Sequence, residues 1–145
     1  MNQEIFIIRS LHVQNAIMLL FFGVALSFLI HSIIKKRPKN IAVFLFWIFL
    51  ILWFFNSPFF GFSAVTVSPQ GIGISYGILS VRNALLPLDS DWEIKAYLSG
   101  IRKNKRLYFI SIGGLQSMKV KGEDEYRLLQ KIGESIERFR KLMAR

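Results

Sequence analysis

Two long apolar runs, Leu11 to Ile34 and Ile41 to Phe60, are separated only by Lys35-Lys36-Arg37-Pro38-Lys39-Asn40. An α-helix rises about 1.5 Å per residue, so about 20 apolar residues span a hydrocarbon core about 30 Å thick. Both runs meet that length. The short link cannot carry the chain back across a bilayer, so residues 1–60 read as a tight antiparallel transmembrane hairpin, with helices at about 11–34 and 41–60. From Gly61 the composition becomes that of a small soluble domain, 61–145, close to the lower size limit for a self-sufficient core.

Met1-Asn2-Gln3-Glu4 lacks a basic leader, the first apolar run is longer than a signal peptide's, and no small-x-small cleavage site precedes the lysine cluster; the first run therefore reads as a retained helix. The net charge of +10 divides into five Lys/Arg against one Glu in 1–60 and fourteen against eight acids in 61–145. A basic membrane protein first meets anionic lipid headgroups. The basic residues are scattered and form no RNA-binding or helix-turn-helix signature, which argues against nucleic acid. The absence of cysteine excludes disulfides, zinc–thiolate sites and thiol nucleophiles. Lys35, Lys36, Arg37 and Lys39 crowd one short loop, and such loops stay in the cytoplasm. The expectation is a multi-pass protein of the cell (inner) membrane, with the 35–40 loop cytoplasmic and the C-terminal domain extracytoplasmic.

In the first helix Ala16, Leu20, Gly23, Ser27 and His31 share one stripe. Gly23 and Ser27 form a small-xxx-small pair that admits close approach of another helix. The aromatic-rich second helix is the simplest occupant, and a foreign membrane helix is the alternative. His12 and His31 stand about 28 Å apart by helical rise and cannot share a metal or a proton.

After Gly61 the period changes to two. Val65 and Val67 alternate with polar neighbours, Ser68-Pro69-Gln70-Gly71 makes a turn, and Ile72, Ile74 and Tyr76 alternate next. Ile78 to Leu86 reads as a third extended run, Trp92 to Leu98 as another, and Leu107–Ile112 with Leu115–Val120 as a hairpin about Gly113-Gly114. A helix closes the chain: Glu123, Asp124 and Glu125 load its start and Arg138, Arg140 and Lys141 its end, as the helix dipole favours. Leu129, Ile132, Ile136, Phe139 and Met143 form its apolar face, suited to packing on the sheet.

The stretch Val-Thr-Val-Ser-Pro-Gln-Gly-Ile-Gly-Ile-Ser-Tyr-Gly at 65–77 resembles the opening hairpin of bacterial PH-like membrane proteins, and Leu-Pro-Leu-Asp-Ser-Asp-Trp-Glu-Ile at 86–94 is similar to their proline–acidic–Trp–Ile segment. Two membrane helices followed by such a domain is the layout of the YcxB/YdbS-like group. The resemblance implies an antiparallel strand barrel or sheet capped by a C-terminal helix. The turn at 68–71 lacks the basic residues with which eukaryotic PH domains grip phosphoinositides.

No P-loop, Gly-x-Ser-x-Gly or His-Glu-x-x-His occurs, and both histidines lie in the first helix. No enzyme, cofactor or metal site is expected. Asp89, Asp91 and Glu93 could in principle offer oxygen ligands to a cation, but a solvated loop explains them better. The basic turn Arg102, Lys103, Lys105 and Arg106 is either a solubilising loop or a contact for lipid headgroups or an acidic partner surface. The expected function is a non-catalytic membrane-anchored PH-like module, an accessory, assembly or scaffold component binding another membrane protein; the alternative is a lipid-headgroup-binding or sensing module. Oligomeric state is left open.

Overall fold

The computed structural model of the chain describes residues 2–57, 60–100 and 105–145. The elements run β1 (Glu4–Ile7), α1 (Leu11–Ile34), α2 (Pro38–Phe55), β2 (Ala64–Ser68), β3 (Gly71–Ser75), β4 (Ala84–Leu86), β5 (Trp92–Ser99), β6 (Lys105–Ile112), β7 (Leu115–Gln116) and α3 (Glu123–Met143).

Both N-terminal helices are long and apolar enough to cross a membrane. Ser10 caps α1, its side chain accepting a hydrogen bond from the Val13 N–H at 3.5 Å. Lys36 adopts a left-handed backbone (φ 51°) in the link, and Pro38 opens α2, where a missing N–H costs nothing. Large apolar side chains such as Leu20, Phe21, Phe46, Phe49 and Trp53 point outward from the pair. In water this exposure would be unfavourable, whereas in lipid it is the normal state of a spanning helix. Asn56 stops α2 five residues short of the predicted Phe60, its backbone N–H returning to the Leu52 and Trp53 carbonyls.

The helices do not pack through the predicted stripe. Phe28 stacks on Phe44 with ring centroids 5.3 Å apart, and Ala25 and Leu29 are the buried residues at that level of α1. A Cβ placed on Gly23 meets nothing within 4 Å, and the Ser27 hydroxyl turns back to the Gly23 carbonyl at 2.8 Å. Ala25 lies about 200° around the helix from Gly23. The small residue that admits the aromatics of α2 is thus Ala25, and the face of Gly23 and Ser27 stays open.

The strands form two antiparallel sheets, ordered β1-β2-β3-β4 and β5-β6-β7. Strand β1 is the unexpected member. It precedes the hairpin, yet pairs with β2 beyond it in the register Glu4↔Val67 to Ile7↔Ala64. The hairpin is an excursion between two neighbouring strands of one sheet, and both of its ends emerge on the same side. Val65 faces Ile74 and Val67 faces Ile72 across β2 and β3, and all four are buried, as their alternation requires. A parallel bridge between Phe62 and Ser117 joins the sheets.

Helix α3 covers this core with Leu129, Ile132, Ile136 and Phe139, while Met143 overshoots into solvent. Gly133 lets the Trp92 ring lie directly on the helix backbone, and the Trp92 Nε1–H donates to Glu137 Oε1 at 3.0 Å. Arg140 donates to the carbonyls of Leu88 and Ser90, each at 3.0 Å, which pins the loop holding Asp89 and Asp91. Glu93 pairs with Lys95 at 2.8 Å. Glu4 of β1 accepts from Ser135 at 2.5 Å and from Arg138 at 2.7 Å, tying the strand to α3 as well as to β2.

The predicted run at 78–86 is a strand only from Ala84. Gly77 takes a φ of 131°, and the Ile78 and Val81 N–H groups go to asparagine side chains instead of a neighbouring strand. The predicted Leu115–Val120 strand is similarly reduced to two residues and two isolated bridges, Ser117 with Phe62 and Val120 with Tyr108.

Candidate functional site

The segment joining hairpin to domain carries most of the buried polar chemistry. Gln14, one turn into α1, is buried; its amide donates to the Tyr76 carbonyl and accepts from the Ser63 hydroxyl at 2.6 Å. Both bonds are needed, because a buried amide without partners costs several kcal/mol (about 2–7). Asn15 accepts from the Ile78 N–H at 2.9 Å, and Asn56 at the other helix end accepts from the Val81 N–H at 2.8 Å and donates to the Leu79 carbonyl at 3.3 Å. Arg82 donates to the carbonyls of Ser57 (2.7 Å) and Phe60 (3.1 Å), where α2 gives way to the domain, and its guanidinium lies 4.5 Å from the Tyr76 ring centroid. Burial pushes the Tyr76 hydroxyl above its usual pKa, against the opposing charge of Arg82. Among the described residues that hydroxyl has no hydrogen-bond partner.

Beside this junction opens a cleft of about 920 Å³, lined by Arg9, Ser10, Val13, Gln14, Ile17, Gly61 and the segment Gln116 to Lys119. Its walls follow from local backbone chemistry. The Ile8 and Arg9 N–H groups both donate to the Ser63 carbonyl, at 2.8 and 3.0 Å, fixing the corner from β1 into α1. Gly61 has no room for a Cβ against the backbone of Ser117 and Met118. That close approach lets the Phe62 N–H reach the Gln116 carbonyl (3.1 Å) and the Met118 N–H reach the Phe62 carbonyl (3.0 Å). Met118 and Lys119 are thereby set opposite Arg9 and Val13. Among the described residues no acid lines the cleft. Arg9 and Lys119 are exposed and, among the described residues, neither forms a salt bridge; Lys119 rests 3.8 Å from the Tyr97 ring centroid. Val13 and Ile17 continue the wall one and two turns along α1, toward the apolar part of the hairpin. The cleft has cations at its mouth and hydrocarbon along one side.

Of the predicted basic turn, Arg102 and Lys103 lie outside the described residues. Lys105 begins β6, and Arg106 is exposed on that strand, lining a separate hollow of about 480 Å³ with Tyr108, Lys121 and Tyr126. Arg106 is not part of the junction cleft. Gly23 and Ser27 line an open groove of about 720 Å³ with Leu19, Leu20, Val24, Phe28 and His31. Among the described residues no group of three potential metal ligands comes together. Sequence reasoning missed Arg9, Gln14, Met118 and Lys119. The available signal was an adjacent polar pair, Gln14-Asn15, inside an otherwise apolar run, which marks a functional or packing demand.

Comparison with protein-family models, curated proteins and solved structures yields no significant match.

Proposed function

We propose that the chain is a non-catalytic, membrane-anchored PH-like module that takes the anionic headgroup of a membrane lipid in the junction cleft. The carrying observation is that Arg9 and Lys119 line one cleft, with no acid beside them among the described residues and with an apolar wall on α1. An anionic phospholipid has the matching form: charge at the head, hydrocarbon running along the helix. Two near-surface cations at about 1 kcal/mol each correspond to about 30-fold in affinity. The four-plus-three strand arrangement with a C-terminal helix supports the PH-like reading.

The test is native mass spectrometry of the full chain released from bilayers of mixed phosphatidylglycerol and phosphatidylethanolamine. The wild type is expected to retain phosphatidylglycerol, the Arg9→Gln/Lys119→Gln variant to lose it, and Lys35→Gln/Lys36→Gln at the far end of the hairpin to keep it. Equal retention by all three overturns the assignment.

A second reading, an accessory or scaffold component binding another membrane protein, is favoured by the groove that α2 leaves open at Gly23 and Ser27. For localisation, we infer a multi-pass inner-membrane protein with the 35–40 loop cytoplasmic and the domain outside. Retention of α1 is supported by its strand β1, which the sheet requires, and the direction by the lysine-rich link. Cysteine introduced at the exposed Gln70 should react with a membrane-impermeant thiol reagent in intact cells; labelling only after lysis reverses the orientation.

A further inference from the structure

The loop between β3 and β4 presents large apolar side chains with no protein cover: Ile78 is 60% exposed and Val81 89%. Its position is fixed by the hairpin. The Ile78 N–H is held by Asn15 of α1 and the Val81 N–H by Asn56 at the end of α2, so the loop bridges the two helix ends where the chain emerges from the spanning segments. Several of its remaining polar groups are bonded within the junction, and Asn56 donates to the Leu79 carbonyl at 3.3 Å. Ser80 N–H donates to the Gly77 carbonyl at 3.2 Å, and Asn83 accepts from the Tyr76 N–H at 2.7 Å and donates to the Gly77 carbonyl at 3.3 Å. The adjacent charge of Arg82 is turned inward onto the Ser57 and Phe60 carbonyls. A backbone tied to both helix ends, withdrawn charge and outward apolar side chains suit a segment to the headgroup–acyl boundary, where headgroups and water serve the remaining polar groups.

We propose that the 77–83 loop is a third membrane contact, inserting Ile78 and Val81 into the outer part of the leaflet and pressing the domain flat against the lipid surface. The proposal rests on the reading of α1 and α2 as membrane spans and is independent of the cleft. The partner surface is lipid because the loop is continuous with the lipid-facing ends of both helices.

The chain has no native cysteine, so single-cysteine variants of the full protein can be labelled cleanly with an environment-sensitive fluorophore and reconstituted into phosphatidylcholine vesicles. The positions are Val81→Cys, Gln70→Cys at the exposed β2–β3 turn, and Phe46→Cys in the middle of α2. Lipids carry a doxyl quencher either near the glycerol or near the chain end. The expected result is a blue-shifted Val81 emission lost most strongly to the shallow quencher, aqueous unquenched emission from Gln70, and loss to the deep quencher from Phe46. A Val81 label as aqueous and unquenched as Gln70, with Phe46 quenched, overturns the loop contact while leaving the spans. An unquenched Phe46 label removes the spans and the loop contact together.

Discussion

The two helices of the hairpin look alike in sequence and do different work. Helix α1 buries Gln14, Met18, Ala25, Leu29 and Ser32, whereas α2 buries only Phe55. The first turns of α1 are packed into the domain: Met18 lies against Gly77, and Gln14 hydrogen-bonds the Tyr76 backbone and Ser63. Helix α2 faces outward along most of its length and reaches the domain through Asn56 and the aromatic cluster of Phe54, Phe55 and Phe60. An apolar helix in a membrane protein can thus be a structural pillar or a lipid-facing brace, and the few polar residues it carries decide which.

The contrast breaks most readily at Gln14. Gln14→Leu leaves the Tyr76 carbonyl buried and unpaired, at about 1–3 kcal/mol, and leaves the Ser63 hydroxyl only the weak Met118 sulfur acceptor at 3.7 Å. Against a total stability of about 5–15 kcal/mol, that should lower the melting temperature of the detergent-solubilised chain substantially. Phe46→Leu on the open face of α2 should leave it nearly unchanged. Equal melting of the two variants would erase the distinction between pillar and brace.

A smaller effect is expected where the helices meet. Ala25→Leu overfills the seam with α2 and should cost about 1–3 kcal/mol. Gly23→Leu enters empty space and exchanges a poor helix former for a good one, so the isolated protein should melt no lower than wild type. Loss of a co-purifying membrane protein with Gly23→Leu alone would assign the groove to a partner helix. The reverse order of stabilities would restore the Gly23 stripe as the internal seam.

The smallest effect sharpens the role of Tyr76. Its carbonyl serves Gln14, but its hydroxyl is buried and, among the described residues, has no partner. Tyr76→Phe keeps the carbonyl and should be neutral or slightly stabilising. Burial raises the hydroxyl's pKa above the usual value of about 10, so its contribution is fully present below pH 10 and is lost as pH rises through the raised value. The Phe variant should lack that part of the alkaline loss in melting temperature.

The long elements were legible because each carries its own period. Unbroken apolar length marks α1 and α2, and the three-and-four spacing of Leu129, Ile132, Ile136 and Phe139 marks α3. The rotation of α1 was not legible, because a helix apolar on all sides offers no contrast between faces; the choice of Ala25 over Gly23 is made by the shapes of Phe28 and Phe44. Strand β1 was hidden because Glu4-Ile5-Phe6-Ile7 is too short to declare itself and its partner lies some sixty residues on. The candidate cleft was hidden for the same reason. Arg9 and Lys119 line one cleft only because β1 returns to β2 and Gly61 lets 61–63 approach 116–118, and neither approach leaves a local signature.

With α1 and α2 read as membrane spans, the return of β1 gives the fold a means of proofreading its own insertion. This strand is synthesised early, yet its Glu4 must find Ser135 and Arg138, separated from it by 131 and 134 residues. If only one of the two helices crosses the bilayer, β1 and β2 are left on opposite faces of the membrane and cannot pair. The sheet then lacks an edge strand, α3 loses its acidic anchor, and Val67, together with Val65, loses the neighbour that β1 supplies. A correctly threaded chain closes its sheet; a misthreaded one presents an open edge, the kind of lesion that membrane proteases and chaperones recognise.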